Sequence, residues 1–322
     1  MRLLVIQNYF CKLKTAVIDI GTNTFNLLIV EKKGKHPNTL HNSRIPVRLG
    51  KGGITKKKIT EDAFQRGIEA LKELKKIIDD YSCDGIYAFA TSMVRDADNG
   101  LVFVEEVKKQ TGITVHIISG DREAELICNG VRKAVKMDRK MLIMDIGGGS
   151  TEFIIADRNN IYWKKSYQLG VTRLYETFQQ NDPITLAEIH QTETLLEKEL
   201  NELILELNRE KIESLIGSAG SFESYAEMIE WKISGKGIDP KTPSQHLHLQ
   251  EMKLLLEEII ISNHEERKQM KGLHEIRRDL IVMASILIRF ILKKAAFNEV
   301  IYSAYALKEG VLLEDENSID AF

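Results

Sequence analysis

One motif occurs twice in this chain, and the repetition limits the folds open to it. DIGTNT at 19–24 and DIGGGST at 145–151 share a layout: an apolar strand, Asp, Ile, a glycine turn bearing hydroxyls, and a second strand. The flanking runs TAVIDIG (15–21) and FNLLIVE (25–31), and MLIM and EFIIAD around the second turn, are bounded by glycine and rich in β-branched residues. Each unit therefore reads as an antiparallel hairpin. The copies lie much farther apart than the roughly 20–50 residues of a repeat array. They predict two similar domains facing each other rather than a solenoid. Three consecutive glycines, Gly147, Gly148 and Gly149, exceed what a turn needs and predict that something approaches the backbone closely.

The intervening sequence alternates strands with helices, which sets the class as α/β. Phe64, Ile68, Leu71, Leu74 and Ile78 fall at helical spacing, predicting a helix over about 61–80 with Thr60 as its N-cap. Further helices are expected at 99–110, 121–136, 185–208, 248–262 and 276–294, with a short one near 305–315. Strands are expected at 44–49, 85–91, 113–119, 161–170 and 299–303. SLIGSAGS (214–221) reads as a strand entering a third glycine turn, and SGKGIDPKTPSQ (234–245) as a surface loop.

A turn of Gly, Ser and Thr points successive amides one way, and such a nest binds anions. Two nests could hold a phosphate chain between them. Gly21, Thr22 and Asn23 from the first turn, and Gly147, Gly148, Gly149, Ser150 and Thr151 from the second, are the candidate phosphate contacts. The carboxylates before the turns, Asp19 and Asp145, would repel phosphate. They suit a divalent cation that binds it, and Mg²⁺ is the usual choice because it takes carboxylate plus phosphate oxygens. Neither turn has the GxxxxGK[ST] or GxGxxG pattern.

Composition narrows the classes. The net charge is −2, so no overall basic field argues for nucleic acid, and an anion must be held locally. The longest uncharged stretch near the C-terminus, Leu280–Ile288, falls far below the roughly 20 residues that span a bilayer, so no membrane role is expected. Cys11, Cys83 and Cys128 lie far apart, odd in number and without CxxC spacing, which fits a reducing cytoplasm. The opening MRLLVIQNYFCKLK lacks a small-residue cleavage site. Residues 1–14 read as an N-terminal extension without an assigned role.

With the two hairpins and GSAGS at 217–221, the chain resembles the actin, heat-shock ATPase and sugar-kinase superfamily. ATSMVRDADNG (90–100), ISGDREAEL (118–126), DIGGGSTEF (145–153), LGVTRL (169–174) and ALKEGVL (306–312) follow in the order expected of the exopolyphosphatase/guanosine pentaphosphate phosphohydrolase (Ppx/GppA) family. The resemblance covers about 15–315. It implies two ribonuclease-H-like, actin-like ATPase domains with a cleft between them: residues 1–135 plus about 305–322, and residues 136–304. It implies hydrolysis of terminal phosphoanhydride bonds, releasing orthophosphate from inorganic polyphosphate or from guanosine pentaphosphate (pppGpp). The family's general base maps to Glu123, its ATSxxR arginine to Arg95, and its metal and phosphate carboxylates to Asp19, Asp145 and Glu152. By residue type alone Asp121, Glu123 and Glu125 are equivalent. The family analogy also allows a homodimer.

Departures from the family pattern are expected to matter. Lys308 stands where the family usually has arginine, keeping the charge but losing the planar fork. The third turn reads SAGS where a Gly-Thr end is commoner. No HD-bearing helical segment follows, so high processivity is not expected. Arg48, Lys51, Lys56, Lys57 and Lys58 form a basic run that could guide a long anion or merely be solvated. The expected activity is a Mg²⁺-dependent exopolyphosphatase. The alternatives are a pppGpp 5′-phosphohydrolase, a small-molecule kinase, and a non-catalytic nucleotide- or polyphosphate-sensing module.

Overall fold

The computed structural model describes residues 13–33 and 36–314. Most of the N-terminal extension, with Cys11, and the last residues of the chain lie outside that set. The chain begins with the hairpin β1 (Leu13–Ile20) and β2 (Thr24–Lys33), followed by β3 (His36–Pro46), α1 (Glu61–Asp80), β4 (Gly85–Ala90), α2 (Ser92–Asp96), α3 (Gly100–Thr111), β5 (Val115–Ile117) and α4 (Gly120–Ala134). The second hairpin is β6 (Met141–Ile146) and β7 (Thr151–Ala156). After it come β8 (Ile161–Tyr167), α5 (Val171–Phe178), α6 (Leu186–Glu199), α7 (Asn201–Glu210), β9 (Ser214–Ser218) and α8 (Ala219–Ser234). β10 (Ser244–Leu247), α9 (Leu249–Ile261), α10 (His264–Gln269), α11 (Ile281–Lys294), β11 (Glu299–Ser303) and α12 (Leu307–Val311) complete it.

Two mixed sheets result, ordered β3-β2-β1-β4-β5 and β10-β11-β9-β6-β7-β8. In each, a three-stranded antiparallel meander continues into parallel strands on its first strand's free side. The hairpins match in register: Asp19 pairs with Asn26, and Asp145 with Glu152. The repeated motif thus marks a repeated topology, with β10 added to the second copy. The fold is α/β in two topologically similar halves, as the repeat predicted.

Three apolar clusters hold it together. One packs α1 and α3 on the first sheet through Ile68, Leu71, Leu74 and Phe103. Another packs the helices of the second half on the second sheet, with Phe153, Leu215, Phe222 and most of α11. The third lies between the sheets. Val17 and Phe89 from one sheet and Ile143, Ile154 and Ile216 from the other meet Ala124, Ile127 and Leu307. There α12 packs on α4 and reaches β1. The two helices meet through glycine, since a Cβ on Gly130 would lie 1.9 Å from the Ala306 carbonyl oxygen and one on Gly310 1.8 Å from that of Leu126.

Several local expectations are revised. The strand expected at 44–49 ends at Pro46, because the amides of Val47, Arg48 and Gly50 turn back to the carbonyls of Asn23 and Thr22. The helix expected over 185–208 breaks at Leu200. The expected 276–294 helix starts only at Ile281, after a 3₁₀ turn at Glu275–Arg277. Thr60 begins α1 without a side-chain cap bond. The loop expected at 234–245 ends in β10, an edge strand whose short polar run gave little signal. Among the described residues no helix is long and apolar enough to cross a membrane, and Cys83 and Cys128 are free thiols.

Candidate active site

Each hairpin turn has its carbonyls tied down from behind. The carbonyls of Thr22 and Asn23 accept from the segment after β3. Those of Gly147, Gly148 and Gly149 accept from Gly170 and the first amides of α5, namely Val171, Thr172 and Arg173. This is why the LGVTRL segment matters: it buries the acceptor side of the second turn, and Gly170 can approach only because it lacks a Cβ, which would lie 2.4 Å from Gly148. Among the described residues, the amides of Thr22, Asn23, Gly148 and Gly149 donate to no backbone carbonyl. A surface of donors with its acceptors already spent is suited to an anion.

The turns face each other. A cavity of about 510 Å³ is lined by Gly21, Thr22 and Asn23, by Gly147 to Ser150, and by Asp19, Asp145 and Glu123. The three consecutive glycines are explained by protein as much as by ligand. A Cβ on Gly148 would lie 2.6 Å from Asn23 Nδ2, and one on Gly149 2.4 Å from Ser92 Oγ. Asn23 Oδ1 accepts from Thr172 Oγ1 at 2.8 Å, while its buried Nδ2 finds no partner among the described residues. That orphaned donor is itself a mark of a missing acceptor.

The structure separates the three acids at the start of α4. Ser119 Oγ caps the helix by accepting from the Arg122 amide. Asp121 is exposed. Glu125 is held by Arg122 and Lys164. Glu123 is buried and lines the cavity. Burial, with repulsion from Glu152, drives its pKa well above the usual carboxylate range against the pull of Arg95. Asp19 is pushed up to about 6 by burial, opposed by Lys308 and by the Asn26 hydrogen bond. Asp145 is pushed up to about 7 by burial and by Glu152.

Three of the residues singled out in the sequence stand outside the cavity lining. Arg95 does not line the cavity. Its Nη1 donates to Glu123 Oε2 at 2.9 Å and to the Ile118 carbonyl at 3.1 Å, with Asp96 beside its Nε. It clamps the carboxylate, not an open phosphate position. Glu152 is 1% exposed, accepts from Ser166 Oγ at 2.6 Å and from Ser150, and stands behind the cavity wall. Thr151 is fully buried and donates its hydroxyl to the Leu169 carbonyl, so it is not a side-chain phosphate donor. Thr151 and Glu152 are withdrawn from the mouth by the strand pairing of β7, and Arg95, on α2, by its bonds to Glu123 and Ile118. The basic run at 48–58 is also outside the cavity lining.

Asp19, Asp145 and Glu152 form no three-ligand cluster, and no group of three His, Cys, Asp or Glu suited to a metal occurs among the described residues. The donor set still fits Mg²⁺, which keeps water and phosphate oxygens and needs only one or two protein carboxylates. Asn26 holds one oxygen of Asp19 at 3.0 Å and Ser218 Oγ one of Asp145 at 2.5 Å. Their other oxygens take no hydrogen bond among the described residues. Ser218 went unassigned in the sequence, although it lies in the quoted third turn. Arg44, Glu223 and Arg277, which also line the cavity, gave no local signal at all.

The profile of the Ppx/GppA phosphatase family matches residues 28–319. The chain belongs to that family. It is thereby a phosphoanhydride hydrolase by class. A crystal structure of an exopolyphosphatase from Cytophaga hutchinsonii is 39% identical and superposes with a TM-score of 0.91, covering 96% of this chain and 98% of that one. The Aquifex aeolicus Ppx/GppA member is 26% identical, with a TM-score of 0.77 over 93% and 96% of the two chains. The bifunctional 3-dehydroquinate synthase/phosphatase of Fusobacterium nucleatum is 32% identical over 96% of this chain, which spans about half (48%) of that protein. Exopolyphosphatase 1 of Mycobacterium leprae is 26% identical over 95% of this chain and 90% of its own length.

Proposed function

We propose that this protein releases orthophosphate from the ends of inorganic polyphosphate, with Mg²⁺ as cofactor. The observation that supports it is the placement of Glu123, buried and held by Arg95, in the same cavity as two opposed amide nests. A carboxylate with a raised pKa is a better base near neutral pH than an exposed one. Glu123 takes a proton from the attacking water, which adds to the terminal phosphorus as the bridging P–O bond breaks, leaving a shorter chain. Arg95 positions Glu123 and keeps it aimed. The amides of Thr22, Asn23, Gly148 and Gly149, with Asn23 Nδ2, hold the phosphate oxygens. Asp19 and Asp145 are the carboxylates that would hold Mg²⁺, which when bound neutralises phosphate charge.

The homologues named exopolyphosphatase favour polyphosphate over pppGpp. A purely sensing role is disfavoured because Glu123, although paired with Arg95, faces the cavity. Cytoplasmic location is part of the same proposal and agrees with the free Cys83 and Cys128. Homodimerisation rests on the family analogy alone. The test is orthophosphate release from long polyphosphate, tripolyphosphate, pppGpp and ATP side by side with Mg²⁺. Long polyphosphate is expected to be turned over best. Release from pppGpp alone would transfer the assignment to that nucleotide, and tight binding without release from any substrate would make the protein a sensor.

A further inference from the structure

The cavity has two chemically different ends, and both sheets define the same direction. In the first sheet Arg44 on β3 pairs with Asn26 on β2, which pairs with Asp19 on β1. Beyond β1 come β4, β5 and then Glu123 at the start of α4. Arg44 therefore lies two strand spacings from Asp19, about 10 Å, on the side away from Glu123. In the second sheet Glu152 and Ser166 lie on one side of Asp145, and Ser218 and β11 on the other. Ser166 abuts Gly120, next to the Glu123 end, whereas Tyr302 of β11 feels the charges of Glu223 and Arg44. One end carries the base. The other carries Arg44, Arg277 and Lys308, all three within electrostatic reach of Glu223, with Glu227, Asp239 and Glu309 also in the lining.

Both guanidinium nitrogens Nη1 and Nη2 of Arg44 donate to Glu223, each at 2.5 Å, joining β3 of the first sheet to α8 of the second across the cavity. The pair is reached by solvent, with side chains 48% and 27% exposed. Such exposed pairs contribute little to stability, and a guanidinium fork fits a phosphate as well as it fits a carboxylate. Arg277 has no carboxylate within ion-pair distance among the described residues, and its guanidinium lies where a side chain on Gly220 would have to stand. A polyanion entering this end therefore meets two arginines and a lysine, and of the four acids in the lining there it is Glu223 that holds the Arg44 fork a phosphate would take.

We infer that Arg44 is a contact for the trailing phosphates of a chain whose terminal phosphate lies at Glu123, and that Glu223 occupies this distal subsite until the chain displaces it. The inference rests on the proposed polyphosphate activity. It makes Glu223 a determinant of chain length: a substrate long enough to reach Arg44 must compete with it, and a short one need not.

The experiment compares kcat/KM for long polyphosphate with kcat/KM for tripolyphosphate in the wild type, Arg44→Gln, Arg44→Lys and Glu223→Gln. The ratio should fall about tenfold in Arg44→Gln, the usual effect of losing one charge-assisted phosphate contact. It should fall less in Arg44→Lys and rise in Glu223→Gln. If the pair is instead only a tie between the two halves of the molecule, breaking it from either side has the same consequence. A ratio that moves in one direction in both glutamine variants, or in neither, overturns the inference. Binding of the two polyphosphates to the same variants carrying Glu123→Gln, which arrests turnover, separates this from the activity itself. If the wild type hydrolyses neither chain, the proposed function fails. A long-chain binding preference that still falls with Arg44→Gln and rises with Glu223→Gln upholds the subsite, and its absence overturns it.

Discussion

At the scale of single residues, the proposed function gives Glu123 the role of base and Arg95, bonded to it, that of positioning it. Glu123→Gln keeps size and hydrogen bonding but is a far weaker base. Its kcat should fall by roughly 10²–10⁴, the usual range for losing general-base catalysis, with substrate binding nearly unchanged, as steady-state hydrolysis and a binding measurement together would show. Wild-type turnover in this variant would place the base elsewhere. Gly148 tests the opposite property. A Cβ there meets Asn23 Nδ2 at 2.6 Å and Thr22 Cβ at 2.9 Å, so Gly148→Val wedges the two turns apart. Its substrate affinity should fall by about tenfold or more, in line with the 1–3 kcal/mol that overpacking costs. Unchanged affinity would mean that the turns are not held in this close approach. Glu123 was legible in the sequence only through the family segment, because three acids start α4 and residue type does not distinguish them. What distinguishes them is burial and partner choice, and the pairing of Arg95 with Glu123 is likewise visible only in the structure.

Among the elements, two local devices carry testable weight. The crossing of α4 and α12 is a contact of backbone with backbone, and a Cβ at 310 would lie 1.8 Å from the Leu126 carbonyl oxygen, which leaves no room for a methyl there. Gly310→Ala should lose about 1–3 kcal/mol or more in chemical denaturation. Wild-type stability would show that the helices do not meet there. The start of α6 depends on Glu188, whose carboxylate accepts from the amides of Gln180, Asn181 and Thr185 and from the side chains of Asn181 and Thr185. Burial opposes its ionisation, but these hydrogen bonds prevail and hold its pKa down to about 2. The folded pKa lies below the unfolded one. The stabilisation is therefore full above pH of roughly 4.5 and is lost as pH falls toward 2. Glu188→Gln should lose about 1–3 kcal/mol at pH 7, with a gap to the wild type that closes in acid. A gap independent of pH would exclude the charge as its origin.

For the whole molecule, the defining feature is a cleft whose walls come from two copies of one topology. Asp19 and Asp145 occupy equivalent register positions in those copies, which is the basis for assigning them jointly to Mg²⁺. Asp145→Asn keeps the shape and the Ser218 hydrogen bond while removing the charge. Activity should drop at least about 100-fold, as expected when several kcal/mol of charge neutralisation are lost, and chelation of the wild type should have a similar effect. A folded Asp145→Asn protein with full activity would remove the metal assignment.

The sequence alone determined the class, the two hairpins, their pairing as a repeat and most strand and helix positions, because these depend on periodicity and on glycine placement within short windows. Two Asp-Ile-Gly turns are visible to any reader of the chain. The tertiary structure decided which side chains reach the cleft. Thr151 and Glu152 carry the motif's chemistry in one-letter code, yet strand pairing and burial commit them to Leu169, Ser150 and Ser166. Arg44 and Glu223, far apart in sequence, meet only because β3 and α8 are brought to the same end of the cavity. Local pattern encodes which way a strand runs and where it turns. Which donors remain unspent is settled by every other group that packs against it, and that sum is available only in three dimensions.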